Sequence, residues 1–148
     1  MKYIIYFLLL VSVYSDSEIL LWACEKGDLA QVKTSLKWDA DPDSTDKKGT
    51  SALIKATENS HLKIMELLLK KGADVNKRDK SGATALFYAS IIGDKNSVEL
   101  LLKYGAEVNV ANEFGKTPLA EAINFKNTEV ISILKAKGAL EKIESEKK

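Results

Sequence analysis

The two residue types best suited to act as a thiol nucleophile or as a general base near neutral pH each occur once, as Cys24 and His61. A Ser-His-Asp or Cys-His site would have to use His61. His61 shares a repeated position at the start of the second helix with Asp28, Asp94 and Asn127, so we interpret all four as helix N-caps. No His or Asn partner is placed for Cys24, which we expect to be buried. The sequence therefore predicts a protein without an enzymatic site.

Metal and phosphate sites are not indicated either. One His and one Cys cannot supply a metal centre of those ligands. The segment Asp39-Ala40-Asp41-Pro42-Asp43 looks like the start of a calcium loop, but Pro42 interrupts it and the following Gly and distant Glu are missing. The glycines are evenly spaced instead of clustered as in a phosphate-binding loop. We expect no metal, no cofactor and no small-molecule substrate.

The spacing of the glycines is the strongest pattern in the chain. Six positions recur at intervals of 33 residues, and they are Gly49, Gly82 and Gly115; Leu53, Leu86 and Leu119; Ala56, Ala89 and Ala122; Leu68, Leu101 and Leu134; and the Gly-Ala pairs at 72–73, 105–106 and 138–139. A fixed period in this range is typical of a solenoid, in which each unit buries its apolar face only against its neighbours. Such an array offers an extended surface and, by default, no catalytic cavity.

Each unit reads as turn, helix, turn, helix. Asp46 precedes Gly49 by three residues, which is a turn signature because Asp bonds its own backbone and Gly tolerates a positive φ. Thr84 and Thr117 are placed to cap the first helix of their units. Gly72 follows a helix end that is rich in Leu and Lys, which is the pattern of a C-cap. These signals predict an all-α array with short turns between the helices.

The repeated strings resemble the ankyrin repeat. The second unit opens with Asp46-Lys47-Lys48-Gly49-Thr50-Ser51-Ala52-Leu53-Ile54 and closes with Gly72-Ala73-Asp74-Val75-Asn76. The family pattern opens D-x-x-G-x-T-P-L-H and closes G-A-D-V-N. A weaker first unit shows Asp39-Ala40-Asp41-Pro42-Asp43 in the same register. The family histidine is replaced by Ile54, Phe87 and Ala120, so we expect a less stable array than an idealised one.

The resemblance implies an all-α ankyrin-repeat solenoid of four helix-turn-helix units with β-turn fingers. The units fall at about residues 16–45, 46–78, 79–111 and 112–142, and together they form one domain over residues 16–142. Residues 143–148 form a charged tail.

The first 15 residues have the pattern of a secretory signal peptide. A short basic start, Met1-Lys2, precedes an apolar run from Tyr3 to Val13, and the small Ser15 favours cleavage before Asp16. We expect an exported protein, periplasmic or secreted, with no membrane span after cleavage. The Lys, Ile and Asn-rich composition indicates a bacterial envelope protein. The alternatives are a buried first helix or an uncleaved anchor, although the run is shorter than the roughly 20 residues of a membrane span.

The charge balance argues against nucleic acid as a partner. The chain has 22 basic and 21 acidic residues, and loss of residues 1–15 removes one Lys and leaves 21 of each. No global field attracts a polyanion. The first unit is acidic and the second is basic, which indicates either ordinary solvated surfaces or a dipolar surface that orients a partner.

In the resembled family, partners usually meet the turn tips and the exposed face of the first helices. Carried over by position, the partner-binding residues are Lys47, Lys48, Arg78, Lys80, Ile91, Ile92, Phe114, Lys116 and Phe125. The apolar members are candidates for one patch, since exposed apolar clusters mark interfaces. The alternative is that Ile92 and Phe125 pack between units. The sequence thus predicts a non-catalytic protein–protein interaction module, with a self-associating scaffold protein of the cell envelope as the alternative.

Overall fold

The structure, a computed structural model, describes residues 14–142. Most of the proposed signal segment and all of the tail at 143–148 lie outside this range. Within it there are eight helices and no strand: α1 (Asp16–Lys26), α2 (Leu29–Lys37), α3 (Ala52–Glu58), α4 (Leu62–Lys70), α5 (Ala85–Ile92), α6 (Lys95–Lys103), α7 (Pro118–Asn124) and α8 (Thr128–Ala136). No helix in the described range is long and apolar enough to cross a membrane.

The helices form four successive pairs that stack in two layers. Each first helix packs on the second helix of its own pair, and the first helices α1, α3, α5 and α7 also pack against one another in series. The second helices form a parallel series behind them. The arrangement confirms the predicted all-α repeat solenoid.

The core runs along the interface between the two layers. The same positions are buried in every first helix, and they are Leu20, Leu53, Leu86 and Leu119, with Ala23, Ala56, Ala89 and Ala122. The alanines have no exposed surface, so adjacent first helices approach closely at this position. Burial of each leucine contributes about 1.5–3 kcal/mol from removal of apolar surface from water. Ile54 and Phe87, at the position of the family histidine, are also buried and extend the apolar contact.

Each first helix begins directly after a Ser or Thr residue that caps its N-terminus. The side-chain oxygens of Ser51, Thr84 and Thr117 each accept a hydrogen bond from the backbone N–H three residues later, as predicted. The first helix of the first unit begins at Asp16. Ser15 is the N-cap of α1, because its hydroxyl accepts from the Glu18 N–H (3.2 Å) while the Glu18 carboxylate accepts from the Ser15 N–H (2.8 Å).

The N-caps of the second helices divide into two kinds. Asp28 and Asp94 accept hydrogen bonds from the first backbone N–H groups of α2 and α6, as predicted. His61 and Asn127 occupy the same position but make no cap bond with their side chains. These two residues are N-caps by position, as predicted, but the expected side-chain cap bond is not formed.

His61 and Asn127 instead reach back to the preceding unit. The His61 Nε2 atom lies 3.2 Å from the Glu25 carbonyl, and the Asn127 amide donates to the carbonyls of Ser90 (2.8 Å) and Ile91 (2.9 Å). These carbonyls end the first helices of their units and have no partner inside the helix. The side chains therefore join consecutive units.

The junction that follows each first helix requires a left-handed residue. Gly93 has φ +78°, and a Cβ atom placed on it would lie 2.6 Å from the Asn127 Oδ1 atom. Lys126, 33 residues later, takes the same conformation with φ 59° despite its side chain. The left-handed region is costly for a residue other than Gly.

Opposite substitutions at these two equivalent positions are expected to change stability in opposite directions. Gly93→Ala should lower the free energy of unfolding by about 1–2 kcal/mol or more, because of the backbone conformation and the contact with Asn127. Lys126→Gly should raise it by about 0.5–1 kcal/mol, since strain is removed from an exposed position. Urea unfolding measures both changes as shifts of the transition midpoint, provided that the dependence of the unfolding free energy on urea concentration is the same in each variant. A stabilising Gly93→Ala would contradict the geometry of this junction.

Candidate partner-binding surface

The turns that precede the first helices of the second, third and fourth units form three fingers, which we number by their units and together call the finger row: the second finger at 46–50, the third at 79–83 and the fourth at 112–116. Each finger is closed by its first side chain. The Asp46 carboxylate accepts hydrogen bonds from the N–H groups of Lys48 (2.9 Å) and Thr50 (3.0 Å). Asp79 and Asn112 do the same in their fingers. In each finger, the Asp or Asn of the predicted turn signature therefore fixes the backbone through hydrogen bonds to its side chain.

Neighbouring fingers are joined through their backbones. The Lys80 N–H donates to the Lys48 carbonyl (3.1 Å), and the Glu113 N–H donates to the Ser81 carbonyl (2.9 Å). These bonds keep the three fingers side by side, so their side chains form one continuous edge.

A second set of links between units lies at the close of each unit. The Asp74 N–H donates to the Asp43 carboxylate, the Glu107 N–H to the Asn76 side chain, and the Leu140 N–H to the Asn109 side chain, all within 2.8–2.9 Å. The sequence motifs, taken one unit at a time, did not predict that these Asp and Asn side chains join successive units. The signal was the recurrence of Asp or Asn at one position of the repeat.

The predicted basic residues all lie on the finger side, but they are not equally available. Lys47, Lys48 and Lys80 are exposed. Arg78 donates to the Ala111 carbonyl (2.8 Å), which ties the third finger to the fourth. Lys116 forms an ion pair of 2.9 Å with the carboxylate of Glu121, a nearly buried residue. Arg78 and Lys116 thus also hold the array together.

The predicted apolar residues divide into two places. Ile91 and Ile92 end α5, and Phe125 lies at the C-cap of α7 at the position equivalent to Ile92. The bond from Asn127 to the Ile91 carbonyl holds these two helix ends together. We call Ile91, Ile92 and Phe125 the helix-end patch. Ile92 is 43% exposed and Phe125 52% exposed.

Phe114 belongs to the finger row instead. It is 80% exposed in the fourth finger, before the N-terminus of α7. The helix of seven residues between Phe114 and Phe125 is about 10 Å long. The structure therefore brings three of the four apolar residues together and places Phe114 at the other end of α7.

A cleft of about 400 Å³ lies between the second and third fingers and the helices behind them. Its lining residues are mostly charged or polar, and they are Asp46, Lys48, Thr50, Lys55, Glu58, Asp79, Lys80, Ser81 and Tyr88. Lys55 and Tyr88 occupy one repeated position on the exposed side of α3 and α5. Their shared position was the available signal, and the predicted partner-binding set included neither residue.

Lys55 sits between two carboxylates at the floor of the cleft. Its ammonium group lies 3.1 Å from the Asp46 carboxylate and 3.3 Å from that of Glu25. Burial alone would lower the pKa of Lys55, but these two carboxylates raise it above its ordinary value. Burial alone would likewise raise the pKa of Asp46, yet the bonds from Lys55 and from the finger backbone bring it below its ordinary value.

Tyr88 makes the equivalent contact in the next unit. Its hydroxyl donates to the Asp79 carboxylate at 2.6 Å. Burial and the adjacent carboxylate raise the pKa of Tyr88 to about 12. The pKa of Asp79 is lowered although burial opposes the shift, because hydrogen bonds from Tyr88 and Ser81 favour the ionised form. The carboxylates of the second and third fingers are thus both directed towards the first helices.

Glu58 is the third carboxylate that lines this cleft. It forms no ion pair within residues 14–142. Its side chain is exposed, yet partial desolvation by the walls of the cleft raises its pKa above the ordinary value against the opposing charge of Lys55, and the carboxylates of Asp79, Asp46 and Glu25 add to the rise.

The residues with potential for catalysis are not assembled. Cys24 is buried in α1, and burial raises the pKa of its thiol to about 12, so it is protonated at neutral pH. His61 contacts a backbone carbonyl. No group of three or more His, Cys, Asp or Glu residues in the described range is arranged to hold a metal ion.

The comparison with known proteins agrees with the geometry. The sequence model of the family described as "Ankyrin repeats (3 copies)" matches residues 20–112, which is more than half of the chain. No curated protein matches the sequence.

Replacing Glu58 with the neutral Gln is expected to stabilise the protein at neutral pH. A raised folded-state pKa means that ionisation of Glu58 destabilises the fold as pH rises through and above the ordinary value near 4.5. Glu58→Gln should therefore unfold at a higher temperature than the native chain at pH 7, and the difference should vanish near pH 3. Glu99→Gln, an exposed site on α6, is the control. A lower unfolding temperature at pH 7 would contradict the environment described for Glu58.

Proposed function

The chain belongs to the ankyrin-repeat family, and we propose that it is a non-catalytic module that binds a partner protein through the finger row and the helix-end patch. Ankyrin repeats are generally protein–protein interaction modules. The family is typically non-catalytic, which agrees with the separate, structural environments of Cys24 and His61.

The exposure of large apolar side chains carries this proposal. Phe114, Ile92 and Phe125 have 80%, 43% and 52% of their surface in contact with water. The leucines and alanines that recur in the first helices are buried, so the packing of the solenoid does not depend on these three exposed side chains. Apolar anchors next to charged groups are typical of protein interfaces.

Self-association is the second candidate function, and the N-terminal end of the array favours it. Tyr14 and Trp22 are 55% and 54% exposed. With Glu18 and Ile19 they line a mainly apolar cleft of about 420 Å³ on the first unit, whose outer side has no preceding unit in the described range. Light scattering distinguishes the two functions, since a monomer supports capture of a different protein.

We also propose export to the periplasm or the exterior, with cleavage of residues 1–15. The basic start, the apolar run and the small residue at Ser15 support this proposal. Cleavage after Ser15 would remove the N-cap of α1 and place a positive amino group at the positive end of the helix dipole.

Removal of Ser15 is expected to have a measurable effect on stability. A chain that begins at Asp16 should lose about 1 kcal/mol of unfolding free energy relative to one that begins at Tyr14, because the hydrogen bonds of the cap are lost. Ser15→Ala in the longer chain should account for most of the loss. N-terminal sequencing of the protein from its host identifies the natural start, and a retained Met1 would overturn the cleavage proposal.

Loss of the apolar anchors should weaken partner capture without unfolding the protein. Ile92→Ala with Phe125→Ala should reduce the capture of a crosslinked partner from the native host by about fivefold or more, the loss of one interface hot spot. Phe114→Ala tests the finger row separately. Leu62→Ala with Leu140→Ala removes similar exposed apolar surface elsewhere and should leave capture unchanged. Thermal unfolding is measured for each variant, and collapse of the Ile92 and Phe125 variant would show that these residues are core.

A further inference from the structure

The second and third fingers carry ammonium groups that the protein itself does not neutralise. Lys47, Lys48 and Lys80 are exposed and Lys77 is partly exposed. None of the four forms an ion pair with any residue in the range 14–142. The two fingers thus present a local positive edge on a chain whose formal net charge is only +1.

The carboxylates of the same fingers are directed away from these lysines. Asp46 accepts from its finger backbone and pairs with Lys55. Asp79 accepts from its finger backbone and from the Tyr88 hydroxyl. Both carboxylates are therefore bonded to the finger backbone and to the first helices, while the side chains of Lys47, Lys48 and Lys80 are exposed.

The array also places two of these lysines on adjacent fingers. The backbone bond from the Lys80 N–H to the Lys48 carbonyl places these residues side by side on adjacent fingers. Like charges on directly neighbouring residues destabilise a pairing. An anion bound between the two side chains would relieve this repulsion.

We propose that the second and third fingers bind an acidic segment of the partner protein, whose Asp or Glu side chains pair with Lys48 and Lys80 and with the adjacent Lys47 and Lys77. The inference rests on the proposed protein-binding function and specifies the chemistry of the partner. Carboxylates at the rim of an interface accelerate association and orient the partner more than they add affinity.

The cleft beneath the lysines favours separate carboxylates over a continuous polyanion such as nucleic acid. Glu58 has no cationic partner of its own, and Asp46 and Asp79 lie beside it. A chain of closely spaced phosphates that follows the fingers would meet these carboxylates. An acidic protein segment has neutral residues between its charges. It can therefore pair with the lysines at the rim without placing a negative charge over the carboxylates of the cleft.

A synthetic peptide of four Gly-Gly-Glu repeats tests the proposal directly. Its carboxylates are about 10 Å apart when extended, close to the spacing of about 8–10 Å between packed helices of successive units. The full chain should bind this peptide saturably at low salt, and binding should weaken as salt approaches about 0.15 M. The readout is the shift of the backbone N–H resonances of residues 46–50 and 79–83.

A charge-reversal pair with a matched control identifies the residues responsible. Lys48→Glu with Lys80→Glu should weaken peptide binding by about tenfold or more. Lys37→Glu with Lys63→Glu makes the same change in net charge on exposed positions of α2 and α4, and binding should be unaffected. If the reversed pair fails to fold, Lys48→Gln with Lys80→Gln replaces it and should show a smaller loss in the same direction.

Three results would overturn the inference: no binding of the glutamate peptide, equal loss in both charge-reversed pairs, or tighter binding of a twelve-nucleotide oligothymidine through the same lysines. Partner capture from the host separates this inference from the proposed function. If Lys48→Glu with Lys80→Glu captures the partner normally while Ile92→Ala with Phe125→Ala does not, the protein-binding function stands and the acidic segment is rejected.

Discussion

The structure depends on the contact between successive first helices. No unit of about 33 residues encloses its own core, so each apolar face is buried only against the next unit. The fully buried alanines Ala23, Ala56, Ala89 and Ala122 make this contact possible, because a larger side chain would hold the helices apart. The same constraint extends the molecule in one direction and leaves a long outer surface in place of a central cavity.

Polar links then align the units more closely than apolar contact requires. His61 and Asn127 satisfy carbonyls at the helix ends of the preceding unit, and Asn76 and Asn109 receive N–H groups of the following one. Backbone bonds join the fingers as well. In the proposed function, a partner would meet a finger row whose parts hold fixed relative positions, which would reduce the entropy lost on binding.

The electrostatics of the binding surface follow from the same geometry. Asp46 and Asp79 close the second and third fingers. Their carboxylates are bonded to the local backbone and to Lys55 or Tyr88, respectively. Their charges stabilise the array from the inside, whereas the lysines beside them remain available to a partner. The apolar helix-end patch lies at the far ends of α5 and α7, so charged and apolar recognition are separated on one face of the molecule.

The sequence by itself determined the period, the all-α class and the capping of α3, α5 and α7 by Ser51, Thr84 and Thr117, because these features depend on residues three or four apart or on a repeated spacing. Local rules also described His61 and Asn127 as caps, although their side chains contact the previous unit. The Ser15 cap was a local signal that sequence reasoning missed, since its partner Glu18 lies three residues later. The contacts of His61 and Asn127 with the preceding unit and the cleft with Lys55, Glu58 and Tyr88 were decided by tertiary structure alone. Each depends on how a side chain rotates or how one unit meets the next, and residue spacing along the chain contains neither.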